Sequence, residues 1–222
     1  MSGELAAKLK QTNDQNRERI PADTLEIMDA ATAELDASGM IEATLGLGEQ
    51  APEFTLPDAT GKHVALSSLL AQGPVVLAFY RGGWCPYCSL ELRELQTRLA
   101  DIKATGATLV AISPQTPDNS LSTAEKLELA FPVLSDVGNA VARSYGLVFS
   151  LPENLREVYS GFGIDLPAAN GDESFELPLP ATFVITAEGK VAWRFVNTDY
   201  TKRGEPEDVI SALRALEVAG VA

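Results

Sequence analysis

Sulfur and imidazole are scarce in this chain of 222 residues, which has two cysteines and one histidine. Two cysteines cannot form a disulfide framework, and they fall short of the four ligands of a structural zinc site. The single histidine, His63, stands far from them beside a turn, so it reads as solvent-facing rather than catalytic. Basic residues are outnumbered, 17 Lys and Arg against 31 Asp and Glu, for a net charge of −14. Such a field disfavours nucleic acid and anionic membranes as partners and supports solubility. No apolar run approaches the length of a membrane span. The segment Met1 to Lys8 lacks the apolar stretch of a secretory signal, so a cytoplasmic setting is expected. Internal repeats and low-complexity tracts are absent. The length suggests one domain with additions. At 45% hydrophobic residues, the chain can bury a sizeable core.

Both cysteines fall in one short run, Phe79-Tyr80-Arg81-Gly82-Gly83-Trp84-Cys85-Pro86-Tyr87-Cys88. The apolar stretch Pro74-Val75-Val76-Leu77-Ala78 precedes it, and a helical pattern beginning Leu90-Glu91-Leu92 follows. The thiols therefore sit at a strand-to-helix turn. Unpaired backbone N–H groups and the helix dipole favour a thiolate there. A CxxC pair at such a junction in a reducing compartment reads as redox-active.

Residues 1–45 read as an amphipathic helical extension, with Pro21 to Thr24 starting a second helix that carries Leu25, Met28, Ala31 and Leu35. A boundary falls near Gly46-Leu47-Gly48. Beyond it, short strands flank the turn 57–61, and buried strands are expected over 74–80 and 108–113. Helices are expected from Cys88 to about Lys103, over 120–130 and over 139–144, with a short strand over 131–135. Residues 150–178, with three prolines and one possible helix near 153–159, read as an irregular insertion. A hairpin over 181–196 and a helix over 205–216 close the chain. Alternating strands and helices followed by a hairpin and helix predict an α/β fold, a mixed central sheet flanked by helices.

The body, residues 46–219, resembles the AhpC/TSA group of peroxiredoxins, a branch of the thioredoxin-like fold. The resemblance rests on Leu45-Gly46-x-Gly48-x-x-Ala51-Pro52-x-Phe54-x-Leu56, on Ala111-Ile112-Ser113 followed by Phe131-Pro132-Val133-Leu134-Ser135-Asp136, and on Ala181-Thr182-Phe183-Val184-Ile185 with Glu188-Gly189-Lys190-Val191. Peroxiredoxins carry Pro-x-x-x-Thr-x-x-Cys, and Cys88 falls on the cysteine that attacks peroxide. Glu91 falls on the expected acidic position. Cys85 replaces the threonine, Arg81 replaces the proline, and Pro180 stands about where the family places an arginine. Each departure leans toward thioredoxin: Trp84-Cys85-x-x-Cys88 is similar to its active site, and Pro180 resembles its cis-proline.

The resemblance implies a thiol peroxidase. Cys88 would attack hydrogen peroxide or an alkyl hydroperoxide, Cys85 would close a disulfide, and thioredoxin or a similar dithiol would reopen it. Arg81 and Arg194 are candidates to stabilise the thiolate, with Glu91 as orienter and Trp84 and Tyr87 as pocket walls or packing. Ala192 and Arg194 are expected on one face of their strand. In the alternative, Cys85 attacks a partner's disulfide, Cys88 resolves it and Pro180 seats the partner's backbone. A third possibility is a redox-silent interaction module. None of these needs a metal or organic cofactor. A homodimer is expected if the amphipathic extension needs a second subunit to cover it.

Overall fold

In the computed structural model, which describes residues 3–220, five strands form the central sheet. The chain runs α1 (Glu4–Arg19), α2 (Ala22–Ala37), β1 (Thr55–Pro57), β2 (His63–Ala65), α3 (Leu66–Leu70), β3 (Val75–Phe79), α4 (Pro86–Thr97) and α5 (Leu99–Ala104). It continues β4 (Thr108–Ser113), α6 (Pro117–Lys126), β5 (Val133–Ser135), α7 (Ala140–Ser144), β6 (Val148–Ser150), α8 (Glu153–Gly161) and α9 (Leu166–Asn170). It ends β7 (Glu176–Pro178), β8 (Ala181–Ile185), β9 (Val191–Val196) and α10 (Pro206–Ala219). The sheet order is β5-β4-β3-β8-β9. β3, β4 and β5 are parallel, and β8 and β9 are antiparallel to their neighbours. This is the mixed α/β thioredoxin-like architecture expected from the sequence.

Every residue of β3 is buried, as its unbroken apolar run requires of a strand covered on both faces. Val76, Ala78 and Tyr80 face one core, filled by Leu92 and Leu95 of α4, Ile102 of α5 and Val209 and Ile210 of α10. Val75, Leu77 and Phe79 face the other, with Leu66, Val141, Tyr145 and Phe183. Both cysteines belong to the first core.

The long expected helix after Cys88 is two helices. α4 begins earlier, at Pro86, and Arg98 leaves helical geometry before α5 starts. A proline at the first helical position explains the early start, since its missing N–H would have no partner there. The insertion is more regular than its prolines suggested. β6 and β7 pair antiparallel around α8 and α9, enclosing a small core of Leu151, Leu155, Tyr159, Leu166 and Leu177.

The N-terminal extension packs on its own chain. Leu5 and Leu9 of α1 enter the core that holds the cysteines. Glu205 accepts from the N–H groups of Leu5 and Ala6, capping α1 from across the fold. Ile27, Met28 and Ala31 of α2 lie against the insertion core. Arg17 forks onto Asp29 at 2.8 Å through both terminal nitrogens, and Thr198 ties α2 down by donating to Asp36 at 2.7 Å. Leu5 and Leu9 of α1 are thus covered within the chain, whereas the apolar residues of α2, Leu25, Ile27, Met28, Ala31 and Leu35, are half-buried.

Candidate active site

β3 delivers the chain into a tight turn, and α4 starts immediately after it. Gly82 is required in the turn: its φ is +155°, and a Cβ there would collide with the Trp84 indole. Gly83 donates its N–H to Gln115 Oε1 at 2.8 Å, fixing the turn to the loop that follows β4. Cys85 is the N-cap of α4, and Cys88 lies in its first turn. Both sulfurs therefore lie near the positive end of the helix dipole. Neither residue is solvent-exposed; each is 0% accessible.

Each sulfur has its own guanidinium. Arg81 Nη2 lies 3.5 Å from Cys85 Sγ, and Arg203 Nη2 lies 3.1 Å from Cys88 Sγ. Arg81 Nη1 donates to the Tyr159 hydroxyl at 2.9 Å, and its guanidinium lies over Tyr200 at 4.4 Å and Trp84 at 5.1 Å. Arg203 Nε donates to Glu91 Oε2 at 2.5 Å, and Thr182 donates to the other Glu91 oxygen at 3.2 Å. Arg203 Nη1 also donates to the carbonyls of Tyr200 and Lys202, so the cation is fixed on several sides.

The two thiols influence each other's ionisation. Burial works against ionisation of Cys85, but the hydrogen bond from Cys88 and the charges of Arg81 and Arg203 outweigh it and hold Cys85 well below the ordinary thiol range. Burial, the hydrogen bond to Cys85 and the Cys85 charge together push Cys88 well above that range, against the pull of Arg203 and Arg81. The pair thus loses one proton readily and resists losing the second. Burial also raises the Glu91 carboxyl, opposed by Arg203 and Thr182. Tyr80, fully buried beside this cluster, is pushed up to about 12, chiefly by burial.

The structure gathers Cys85, Cys88, Arg81, Trp84 and Glu91 into one cluster, as their sequence positions suggested. Tyr87 packs edge-on against Tyr200 and pairs with Asn13 and Asn16 of α1, so it joins the extension to the thiol turn. His63 is exposed on β2.

Two expectations need correction. All described peptide bonds are trans, so Pro180 is not a cis-proline; it lines a cavity beside Arg81 instead. Arg194 does not reach the sulfurs. The β8–β9 register slips between Val184 and Ile185, making Ala192 an extra residue. A bulge of this kind breaks the two-residue alternation. Ala192 and Trp193 therefore pack on the cysteine-side core, while Arg194 pairs opposite Phe183 on the other face. There it donates to the carbonyls of Thr44 at 3.0 Å and Leu45 at 2.8 Å, and to the Thr44 hydroxyl.

Sequence reasoning missed Arg203, Tyr159 and Tyr200. Arg203 comes from the loop between β9 and α10, more than a hundred residues from the cysteines. The available cue is Gly204. A Cβ there would press on the Trp193 and Phe195 rings at about 3 Å, so glycine lets the loop lie flat across β9 and turn Arg203 inward.

Known proteins share this arrangement of strands and helices. A chloroplastic peroxiredoxin Q of Triticum aestivum is 31% identical over 129 residues, 58% of this chain and 59% of that protein. One from Populus jackii is 34% identical over 107 residues, 48% of this chain and 50% of that protein. The matched region thus spans about half to three fifths of these relatives. The crystal structure of peroxidoxin BcpB from Mycobacterium tuberculosis superimposes with a TM-score of 0.62 at 26% identity, covering 78% of this chain and 98% of that one. Peroxiredoxin Q of Xanthomonas campestris, at 20% identity and a TM-score of 0.58, shares the fold over 77% of this chain and 96% of its own. Residues 47–194, which hold both cysteines, Arg81 and Glu91, match the AhpC/TSA family, and the chain belongs to it.

Proposed function

We propose that the chain is a thiol-dependent peroxidase that passes through a Cys85–Cys88 disulfide. The observation that carries this reading is the buried pair of adjacent sulfurs, each facing a different guanidinium, on an AhpC/TSA fold. Cys88 is the attacking sulfur. It occupies the family's attacking position and has the shorter cation contact, 3.1 Å against 3.5 Å.

In the resting pair, Cys85 carries the negative charge and Cys88 the shared proton. Cys85 takes that proton as Cys88 attacks the terminal oxygen of the hydroperoxide. The O–O bond breaks, and Cys88 becomes a sulfenic acid. The departing alkoxide, or hydroxide from hydrogen peroxide, recovers the proton from Cys85 and leaves as alcohol or water. Cys85, again a thiolate, attacks the Cys88 sulfur and expels hydroxide, which takes a proton from solvent. A dithiol such as thioredoxin then reduces the disulfide by exchange, returning two thiols. A reducing compartment such as the cytoplasm would sustain the cycle.

A second reading, disulfide exchange initiated by Cys85, is favoured by the depressed Cys85 thiol. Single variants separate the two. With Cys85→Ser, peroxide should leave a sulfenic acid on Cys88, detected by mass spectrometry. A slow reaction with peroxide, together with rapid capture of a partner's mixed disulfide on Cys85 in Cys88→Ser, would instead establish exchange.

A further inference from the structure

The two guanidiniums differ in their counter-charges. Arg203 pairs with the Glu91 carboxylate as well as meeting Cys88 Sγ, so it keeps an anionic partner in every state of the sulfurs. Arg81 forms no ion pair with a carboxylate among the described residues. Its polar contacts are the Tyr159 hydroxyl and Cys85 Sγ, and the ring centres of Tyr200, Trp84 and Tyr159 lie 4.4, 5.1 and 5.9 Å from its guanidinium. Arg81 is 4% exposed, so water offsets little of the charge, and arginine does not shed its proton on burial. Cys85 Sγ, at 3.5 Å and at the start of α4, is therefore the group placed to neutralise it as a thiolate. A disulfide carries no charge. Closing it leaves Arg81 buried with ring faces and one hydroxyl, and an uncompensated buried charge is costly.

We propose that Arg81 sets the reduction potential of the Cys85–Cys88 couple, making the disulfide a stronger oxidant than the sulfur pair alone would be, so that exchange with an ordinary thiol lies toward the reduced protein. The proposal rests on the disulfide of the peroxidase reading and concerns its closing, reductive step. With glutathione as the thiol, two molecules supply the two electrons. The first attacks one sulfur, breaks the Cys85–Cys88 bond and forms a mixed disulfide. The second displaces the protein sulfur and leaves as oxidised glutathione. Of the two thiol protons, one ends on Cys88 and the other passes to solvent, because Cys85 stays a thiolate against Arg81. That ion pair exists on the dithiol side alone, so it pulls the exchange toward reduction; a stabilised reduced form is what makes a disulfide oxidising. The three rings hold the guanidinium in both states, and their contribution cancels. Arg203 keeps Glu91 throughout, so the asymmetry belongs to Arg81.

Equilibration in glutathione buffers of varied composition measures the exchange constant, approached both from reduced protein and from protein oxidised with diamide. Alkylation and mass spectrometry count the free thiols. Arg81→Met should move the constant about tenfold toward the disulfide, the scale of one hydrogen bond to a charged group, which lowers the potential by about 30 mV. Arg203→Met/Glu91→Met removes a cation together with its own anion and should move it by less than about threefold. A constant unchanged in Arg81→Met, or shifted as far by the double variant, overturns the proposal. Should Arg81→Met fail to fold, the wild type decides. Its disulfide form should unfold at lower urea than its dithiol form, since closing so short a loop adds little stability. An equal or higher midpoint overturns the proposal. None of these measurements uses peroxide. A protein that peroxide does not oxidise would end the peroxidase reading, while the exchange constants would still decide the role of Arg81.

Discussion

Arg203 Nη2 approaches Cys88 Sγ to 3.1 Å while the same guanidinium grips Glu91 through Nε at 2.5 Å. The side chains of Arg203 and Glu91 are 1% and 2% exposed, so neither charge has water to fall back on. Removing one member of such a pair leaves an uncompensated buried charge, at a cost of about 3–5 kcal/mol. A single substitution therefore confounds folding with chemistry. The double variant Arg203→Met/Glu91→Met removes both charges together. Its melting temperature should lie closer to wild type than that of either single variant. Its rate of Cys88 oxidation should still fall about 10²-fold, the effect of losing one preorganised donor at a reacting charge. Stopped-flow tryptophan fluorescence with hydrogen peroxide measures the rate. An unchanged rate in a folded double variant would remove Arg203 from the mechanism.

The shared proton gives the thiols a distinct titration. In reduced wild-type protein, absorbance at 240 nm should report one thiolate per chain near neutral pH, not two. Cys85 is held well below the ordinary thiol range and Cys88 well above it. That one thiolate should disappear as pH falls through the depressed Cys85 value. Cys85→Ala removes both the hydrogen bond and the negative charge that raise Cys88, leaving Arg203 beside it, so the Cys88 pKa should fall. Cys88→Ala removes the hydrogen bond that helps lower Cys85, so the Cys85 pKa should rise. Movement of both residues in the same direction would show that the sulfurs do not share a proton.

The sequence made the thiol turn legible because its determinants are local. An unbroken apolar run gives β3, glycines permit the turn, and a proline starts α4. The second cation was not legible. Nothing in the spacing of Thr201-Lys202-Arg203-Gly204 ties it to Cys88; only the packing of the loop across Trp193 and Phe195 does. Arg194 was misplaced for a related reason. Period-two alternation assigns faces correctly until a bulge adds a residue, and the extra residue at Ala192 is set by pairing with β8 rather than by any local signal. The insertion was read as irregular because β6 and β7 are three residues each and pair across a long separation.

The extension should behave as part of the body rather than as an appendage. Leu9 is 3% exposed in the core that contains both cysteines. Leu9→Ala should destabilise the protein by about 2–5 kcal/mol, as buried leucine truncations do. The urea unfolding midpoint reports this, with an unchanged slope if the native state keeps its compactness. A loss under about 0.5 kcal/mol, the size expected of a surface substitution, would mean that α1 does not hold this position in solution.

Arg194 provides the converse case, a buried-side arginine that serves the fold and not the chemistry. It ties β9 to the segment entering the body, through the carbonyls of Thr44 and Leu45. Thr44 is itself 4% exposed, so water does not readily replace the lost donor. Arg194→Met should therefore lower stability by about 1–3 kcal/mol, the cost of leaving buried acceptors unsatisfied. The rate of peroxide oxidation should stay within about twofold, because the central sheet stands between this guanidinium and both sulfurs. Measuring the urea midpoint and the oxidation rate on the same preparation separates the two roles. A slowed reaction at unchanged stability would place Arg194 on the cysteine side of the sheet and contradict the bulge at Ala192.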